Sequence, residues 1–293
     1  MKTESLLMRF FRKIGVDSVA WSLRRIHCPV PKSALVLEVG SGGNPYARAN
    51  VLLDAYEATR ERHWVPLVKD RPTVFGFAEK LPFADKSFDF IIASHVLEHS
   101  HDPVRFLSEL QRVAKAGYIE VPDAFMERLN PYRDHRLEIA ESEGRLIITK
   151  KPDWCVDEGL QSLYRPRVKK YVTQELMRRR PFAFHVRYYW SDVIDAEVTN
   201  PDVSVSWSAP NLESEPRAKH RMSLLKSSLL KFMRRIGSQH RRNQQIDLFE
   251  IIRCTNCRST LVKAGDDQLC CAKCQHHYLV REGVPDMTQE LVS

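Results

Sequence analysis

Two cysteine pairs near the C-terminal end carry the strongest chemical signal in the sequence. Cys254 and Cys257 are separated by two residues, as are Cys271 and Cys274, and thirteen residues lie between the pairs. Each pair can present two thiolates to one tetrahedral zinc ion, and four thiolates leave no position for a catalytic water. The spacing therefore predicts a structural zinc site with these four ligands. Cys270 could compete with Cys271, but only Cys271 gives the second pair its two-residue spacer.

A glycine-rich segment follows the first apolar run of the chain, and an acid ends the second. Gly40-Ser41-Gly42 comes shortly after Glu38, and Asp54 closes the next run. Glycines at a strand end let the backbone approach a ligand, while an acid on the neighbouring strand can accept both ribose hydroxyls. The pattern predicts a cofactor that contains adenosine. A dinucleotide is disfavoured, because the loop departs from the G-x-G-x-x-G fingerprint and Asp54 follows sooner than the usual roughly twenty residues.

These segments are followed by three others in the order found in class I methyltransferases of the type 11 group. The later segments are Ala78–Phe83, Ser87–Phe90 and His95–His99. The resemblance covers roughly residues 34–122 and implies a Rossmann-like fold, S-adenosylmethionine as cofactor and an activity in class EC 2.1.1. It also implies a set of cofactor contacts: Gly40, Ser41 and Gly42 with the amino-acid part, Asp54 with the ribose, Ala78 and Glu79 with adenine, Ser94 and His95 near the sulfonium, and Glu38 beside the loop.

Histidines follow the segments that the resemblance places near the cofactor. A hydroxyl that attacks a methyl group benefits from a base, and His99 and His135 are the first candidates, with a structural role as the alternative for each. The run Ala93–Val96 differs from the Asn-Pro-Pro-Tyr motif of amide and exocyclic-amine methyltransferases, which disfavours those acceptors. Phe77 stands where many relatives have an acid.

Two further resemblances lead to different acceptors. The segment Lys115–Pro122, followed by His135-Arg136, resembles bacterial methyltransferases of surface-polysaccharide and other glycan pathways. It favours O-methylation of a glycan, a glycolipid or another small molecule. The run Leu269–Pro285 resembles the zinc-ribbon domain of the small activator subunit that partners tRNA, ribosomal RNA and release-factor methyltransferases, so an RNA or protein substrate stays open. A catalytically silent scaffold is the third hypothesis, because of Phe77.

The elements that must position these residues form an α/β pattern. Five apolar runs are predicted strands: Ala34–Val39, Val51–Asp54, Thr73–Phe77, Phe88–Ala93 and Gly117–Val121. Buried strands that alternate with helical or irregular crossovers, such as the helix Pro103–Ala114, indicate a doubly wound, mostly parallel sheet. Arg136–Thr149 predicts two strands around a Ser-Glu-Gly turn, an antiparallel hairpin that closes the sheet.

Composition suits one large domain and a small one. Of 293 residues, 43% are hydrophobic and 28% charged. Because no apolar run approaches the roughly 20 residues of a membrane span and no signal peptide is recognisable, we expect a cytoplasmic protein without a disulfide framework. The predicted domains are an N-terminal amphipathic helical segment (1–32), the methyltransferase domain with a C-terminal extension (33–213), a basic linker helix (214–247) and the zinc ribbon (248–293).

A net charge of +8 suits an acidic partner such as RNA, a phosphorylated sugar or an anionic membrane. In the N-terminal segment, Leu6, Leu7, Phe10, Ile14 and Val19 share one helical face among basic residues. This face predicts either a helix that covers a sheet edge or one that lies on the inner membrane face. The apolar residues of the segment 224–236 either lie on the inner membrane face, with its basic residues at anionic head groups, or pack on the protein itself while the charges are solvated. The sequence does not indicate an oligomeric state.

Overall fold

The computed structural model describes residues 3–62, 64–207 and 237–291. They divide into two compact units, one of residues 30–92, 105–117 and the described C-terminal residues, the other of residues 3–29, 93–104 and 118–207. The strands are β1 (Val36–Val39), β2 (Val51–Asp54), β3 (Thr73–Phe75), β4 (Phe90–Ser94), β5 (Ala116–Pro122), β6 (Leu137–Ser142), β7 (Arg145–Lys150), β8 (His185–Ser191), β9 (Ala196–Val198), β10 (Leu261–Lys263), β11 (Gln268–Cys271), β12 (His277–Arg281) and β13 (Val284–Leu291).

Helices connect these strands, and several of them are short. They are α1 (Leu6–Lys13), α2 (Asp17–Leu23), α3 (Pro103–Val113), α4 (Ala124–Leu129), α5 (Glu158–Arg167), α6 (Lys169–Tyr171), α7 (Met177–Arg179), α8 (His240–Asn243) and α9 (Leu248–Ile251), with a π-helical turn at Val172–Leu176 and 3₁₀ turns at Ala78–Lys80, Leu97–His99 and Pro181–Ala183. Among the described residues, every helix is too short or too polar to cross a lipid bilayer.

The predicted mixed α/β fold with a large, mostly parallel sheet is confirmed. The sheet has the order β10-β11-β12-β13-β3-β2-β1-β4-β5-β8, and β1 pairs in parallel with β2, which pairs in parallel with β3. All residues of β1, β2 and β4 are buried. This is why they appear in the sequence as continuous apolar runs rather than alternating ones. Helix α3 also forms as predicted.

The C-terminal cysteine segment adds antiparallel strands to the same sheet. Each of the strands β10, β11 and β12 pairs antiparallel with the next strand along the chain. Strand β13 then pairs in parallel with β3 through Asp286 and Phe75. The sequence gives no sign of this last pairing. The predicted domain boundaries stay predictions, and the boundary at residues 213 and 214, like the segment 224–236, lies outside the described residues.

The predicted hairpin forms, but it does not close the large sheet. Strands β6 and β7 pair antiparallel, with Glu143 and Gly144 in the left-handed conformation at the turn. The outer edge of β7 then pairs in parallel with β9, so the hairpin belongs to a separate three-stranded sheet. The expectation of closure was wrong because local alternation predicts a hairpin without identifying the third strand beside it.

The N-terminal segment contains two helices rather than one. Helix α1 ends at Lys13 and α2 starts at Asp17, with Gly15 between them at a φ of +77°. This left-handed conformation interrupts the helix at a residue that adopts it without a steric penalty. The face that holds Leu6 and Phe10 is exposed, so these side chains do not pack against a sheet edge among the described residues.

Candidate functional site

The glycine segment after β1 has a backbone that requires glycine. Gly40 and Gly42 have φ values of +66° and +58°, in the left-handed region that side chains with a Cβ rarely adopt. The backbone N–H groups of Gly40 and Ser41 both donate to the carbonyl of Leu53, at 2.8 and 3.2 Å. These bonds hold the loop at the carboxyl end of β1, beside the end of β2, as the sequence predicted.

Asp54, at the end of β2, is surrounded by donors of the chain itself. Its Oδ2 accepts a hydrogen bond from the N–H of Gly42 at 2.9 Å. Its Oδ1 accepts from the N–H of Tyr56 at 3.2 Å and from Nη1 of Arg62 at 2.8 Å. The carboxylate is buried, and Arg62 is its charge partner. A ribose hydroxyl at Oδ1 would therefore compete with Arg62.

Arg62, Val65 and Val68 lie against the glycine loop. A Cβ added to Gly42 would stand 3.1 Å from Cδ of Arg62, and one added to Gly43 would stand 2.4 Å from Cγ1 of Val65. The N–H of Val68 also donates to the carbonyl of Gly42 at 3.1 Å. The two glycines thus make room for the chain's own residues.

Two observations in the same unit fit an adenosine cofactor. The hydroxyl of Ser41 is buried and has no hydrogen-bond partner among the described residues. A buried polar atom of this kind points to a ligand that supplies the missing partner. Exposed Tyr56 and Phe77 meet edge to face with ring centroids 6.1 Å apart, beside buried Ala78. Their faces offer stacking surfaces for a purine ring. Glu38 accepts from the N–H of Tyr46 at 2.7 Å, so it holds the loop in shape.

In the other unit, a buried carboxylate organises the residues after β4. Glu120 on β5 receives two hydrogen bonds from Arg24, at 2.6 and 2.9 Å, and one from the hydroxyl of Ser94 at 3.0 Å. The hydroxyl of Tyr118 is a further donor. Although burial favours the neutral acid, hydrogen bonds from His95 and Arg24 lower the pKa of Glu120 well below its ordinary value.

His95 lies between two carboxylates in a strained backbone conformation. Its φ is +59°, uncommon for a residue with a side chain. Nδ1 is 3.4 Å from Oε1 of Glu98, and Nε2 is 3.5 Å from Oε1 of Glu120. The ring is 43% exposed, and its partial desolvation opposes charge, but the two carboxylates outweigh this effect and raise the pKa of His95 to about 9. The ring is therefore a cation near neutral pH rather than a base.

The two histidines predicted as bases come together in this unit. The rings of His99 and His135 meet edge to face with centroids 4.7 Å apart. Nδ1 of His99 is 3.1 Å from the carbonyl of Asp134, and Nδ1 of His135 is 2.7 Å from Oε2 of Glu127. Asp123, at the end of β5, accepts from the N–H of Phe125 and begins α4.

The four predicted zinc ligands are also brought together. Sγ of Cys254 is 3.5 Å from Sγ of Cys274, and Sγ of Cys257 is 3.3 Å from Sγ of Cys271. All four sulfurs lie within 4.8 Å of one another. Zinc bonds of about 2.3 Å in a tetrahedron separate sulfurs by roughly 3.8 Å, so the cluster has the dimensions of a zinc site. Sγ of Cys270 lies instead 3.4 Å from Oε1 of Gln275.

Both cysteine pairs adopt the same turn. The residue after each pair, Arg258 or Gln275, has a left-handed φ of +60° or +56°. The N–H of Arg258 donates to the carbonyl of Cys254 at 2.8 Å, and that of Gln275 to the carbonyl of Cys271 at 3.1 Å. The N–H groups of Lys273 and Cys274 point at Sγ of Cys271, at 3.4 Å each. Such donors stabilise a thiolate.

The sequence analysis did not predict the charged partners of Asp54, His95 and His135. One of them, Glu120, is indicated in the sequence only as an acid within the buried run of β5. No local pattern indicates the roles of Arg24, Arg62 and Glu127, because an ion pair between distant residues has no signature in the local sequence.

Comparisons with known proteins give matches to a segment in the first half of the chain. Residues 37–119 match the family described as "Methyltransferase domain". The uncharacterized protein YafE of Escherichia coli is 36% identical over 75 residues, which cover 26% of this chain and 36% of YafE. An uncharacterized methyltransferase of Mycobacterium leprae is 29% identical over 149 residues, 46% of this chain and 54% of that protein. These matches support a methyltransferase domain of the S-adenosylmethionine-dependent class in this part of the chain. They span about a third to half of the relatives' own lengths.

Solved structures show weaker likeness. A complex between the Haloferax volcanii Trm112 methyltransferase activator and a protein designated a methyltransferase matches 64% of this chain and 94% of that one, with 17% identity and a TM-score of 0.36. An S-adenosylmethionine dependent methyltransferase from Mesorhizobium loti matches 46% and 64%, with 18% identity and a TM-score of 0.30. At these scores, nothing about partners or substrates follows for this chain.

Proposed function

We propose that the chain transfers a methyl group from S-adenosylmethionine to an oxygen of a glycan, a glycolipid or another small molecule. The observation that carries the cofactor assignment is the buried, unpartnered hydroxyl of Ser41 in a left-handed glycine loop beside Asp54. Gly40 carries no Cβ, so a ligand can approach the backbone of the loop closely at this position. Tyr56 and Phe77 supply aromatic surface next to Ala78 and Glu79, where the resemblance expects adenine.

The chemistry divides between the cofactor and the side chains. When bound, S-adenosylmethionine supplies a methyl group already activated by its sulfonium charge, so orientation and exclusion of water account for much of the acceleration. Ser41 and Asp54 orient the cofactor in this proposal. A hydroxyl nucleophile must also lose its proton. His95 is a cation and poorly suited to accept that proton, whereas His99 and His135 each direct Nδ1 to a fixed acceptor.

Calorimetry with S-adenosylhomocysteine tests the cofactor assignment. We expect the full chain to bind S-adenosylhomocysteine and Gly40→Val to lose this binding. The backbone angle at this position is disallowed for a residue with a branched side chain. Gly265→Val provides a control, since Gly265 also has a positive φ but lies in the turn between β10 and β11 with open space around it. A folded chain that binds no S-adenosylhomocysteine would favour the silent scaffold instead.

The acceptor class needs a separate experiment. The full chain is incubated with cofactor carrying a labelled methyl group and with fractionated cell RNA, protein and glycolipid. Label in the glycolipid or small-molecule fraction supports the proposal. Label in RNA or protein would replace the acceptor class and leave the methyltransferase assignment intact.

The cysteine cluster supports a structural zinc ion as a second part of the proposal. Four thiolate ligands from Cys254, Cys257, Cys271 and Cys274 complete a tetrahedron and leave no site for water. The hydroxyl of Tyr278 lies 3.1 Å from Sγ of Cys254, which orients that ligand.

A peripheral position at the cytoplasmic membrane face is supported by α1. Leu6 is 82% exposed, and Leu7, Phe10 and Ile14 are exposed as well. Basic Arg9 and Lys13 lie in the same helix. Apolar side chains with neighbouring basic groups suit the interface of an anionic bilayer.

A further inference from the structure

Glu98 is a buried carboxylate without a hydrogen bond. Glu98 is 2% exposed, and neither Oε1 nor Oε2 of its side chain has a hydrogen-bond partner among the described residues. Nδ1 of His95 is 3.4 Å away but outside hydrogen-bond geometry. The ring of His95 offsets the charge of Glu98 from one side. A buried carboxylate whose two oxygens accept no hydrogen bond among the described residues still lacks donors that would stabilise it, and a bound cation would supply that stabilisation.

Two histidines with defined tautomers, His99 and His135, lie beside Glu98. Nδ1 of His99 faces a backbone carbonyl, and Nδ1 of His135 faces the carboxylate of Glu127. Both partners can only accept, so each Nδ1 must carry the proton. In its neutral form, each ring then has an unprotonated Nε2, the atom through which such a histidine binds metal ions.

The chain fixes these three residues firmly. Glu98 and His99 share a 3₁₀ turn, and the carbonyl of Glu98 accepts from the N–H of Arg136 at 2.7 Å, directly after His135. The ring of His135 stacks on Tyr132 with centroids 4.7 Å apart.

Glu127 is itself held by several donors. Its Oε1 accepts from Nζ of Lys151 at 2.7 Å and from the N–H of Tyr132 at 3.1 Å, while its Oε2 faces His135. A buried carboxylate that orients a histidine through Nδ1 is the usual outer partner of a metal ligand.

We propose that Glu98, His99 and His135 bind a divalent transition-metal ion. One donor atom of each residue lies within 4.8 Å of the others. Donors bound to one ion at about 2.1 Å are at most roughly 4.2 Å apart, so small side-chain rotations complete the site. Two imidazoles and one carboxylate suit zinc, iron(II) or manganese. The site is separate from the four cysteines and does not depend on methyl transfer.

Three protein ligands leave coordination positions open, in contrast to the cysteine cluster. An open site can take water or the oxygen of a ligand such as a sugar hydroxyl, and it lowers the pKa of that oxygen. His99 and His135 then act as ligands and no longer as the free bases that the sequence suggested.

Cobalt(II) tests this site on the full chain without S-adenosylmethionine. Metal-depleted protein first receives one equivalent of zinc, which the four thiolates take in preference. Cobalt is then titrated by calorimetry, and absorption reports whether any cobalt reaches a thiolate site. We expect about one further equivalent of cobalt without thiolate charge-transfer bands. Its Kd should rise at least about tenfold in Glu98→Gln, His135→Gln and Glu127→Gln.

His101→Gln is the matched control, because it removes a histidine two residues from His99 that is outside the proposed ligand set. Should the variants fail to fold, proton NMR of the cobalt-loaded wild-type chain gives an independent answer. Two exchangeable, hyperfine-shifted signals from the Nδ1–H groups support the site. The proposal is overturned if no cobalt binds once zinc fills the cysteine site. It is also overturned if Glu98→Gln and His135→Gln bind cobalt with wild-type affinity, or if fewer than two such signals are seen.

Discussion

At the scale of single residues, the crowding around Asp54 decides how a nucleoside could reach it. Gly42, Tyr56 and Arg62 all donate to this carboxylate. The bond from Gly42 fixes the loop, whereas Arg62 reaches Asp54 with a flexible side chain that can leave. We therefore expect Arg62 to give up its position on Oδ1 when a ribose hydroxyl arrives.

Asp54→Ala should weaken S-adenosylhomocysteine binding at least about tenfold. The loss of charge-assisted hydrogen bonds costs roughly 1.5–3 kcal/mol, and each 1.4 kcal/mol is about a factor of ten. Calorimetry measures the change, with Asp267→Ala, an exposed acid in the same unit, as control. Wild-type affinity in a folded Asp54→Ala chain would contradict the placement of the ribose.

Arg62→Ala should have the opposite effect and tighten binding several-fold. The substitution removes the competitor for Oδ1, together with the hydrogen bonds that Arg62 donates to the carbonyls of Tyr56, Glu57 and Val65. About 1 kcal/mol corresponds to roughly fivefold in affinity. Lys69→Ala removes a cation from the same segment without touching Asp54 and should change little. Weaker binding in Arg62→Ala would mean that Arg62 contacts the cofactor.

What the sequence could predict at this scale follows from locality. Gly40, Gly42 and Asp54 occupy strand ends, and the four cysteines lie in two short turns. Spacing in the sequence was therefore enough to predict that the members of each set lie close together. Glu98 lies within the motif His95–His99, but no local pattern marks it as a site residue. Its importance rests on the lack of hydrogen bonds, which only the folded chain shows.

At the scale of elements, continuous apolar runs identified the five parallel-type strands and the helix α3. Runs of this kind report burial on both faces, which local sequence records directly. The hairpin β6–β7 was predicted from a different local signal, alternation on either side of a Ser-Glu-Gly turn, but its neighbour β9 is about fifty residues away. Register across such a distance depends on tertiary packing. Gly15 was the overlooked signal for the break between α1 and α2.

Helix α1 yields a prediction at this scale. The full chain should sediment with vesicles that contain phosphatidylglycerol and stay in solution with vesicles of phosphatidylcholine alone. Each nearby Lys or Arg contributes up to about 1 kcal/mol, and this attraction weakens as salt is added. Phe10→Asp should abolish binding, because it places a charge on the exposed apolar face.

Val193→Asp is the control for this experiment. Val193 is 69% exposed in the same unit and lies outside α1, so its substitution should leave sedimentation unchanged. Equal binding to both kinds of vesicle, or no effect of Phe10→Asp, would contradict a role of α1 at an anionic membrane.

At the scale of the whole molecule, the cysteine strands and the glycine loop belong to one unit and one sheet. Antiparallel pairing runs from β10 through β12 to β13, and β13 pairs with β3 at Phe75. Phe77 and Ala78 follow two and three residues later. The predicted separation into a methyltransferase domain and a ribbon says nothing of this connection, since a pairing between Asp286 and Phe75 has no local signature.

Zinc should therefore influence cofactor binding through the sheet. Cys271→Ser removes a thiolate at the end of β11, and we expect this variant to lose its structural zinc and to bind S-adenosylhomocysteine several-fold more weakly. Loss of the metal loosens β11 and β12, because zinc binding in such a module supplies much of its folding free energy. The disturbance then reaches β3 through β13. Metal analysis, calorimetry and circular dichroism of the same samples measure the three quantities together.

Cys270→Ser provides the matched comparison, because its sulfur faces Gln275 rather than the cluster. It should retain both zinc and cofactor affinity. Zinc loss in Cys270→Ser, with full zinc in Cys271→Ser, would move the second pair by one residue. A zinc-free but folded Cys271→Ser chain with wild-type affinity would show instead that β13 ends on β3 without transmitting the state of the metal. In that case the ribbon and the glycine loop share a sheet but function independently.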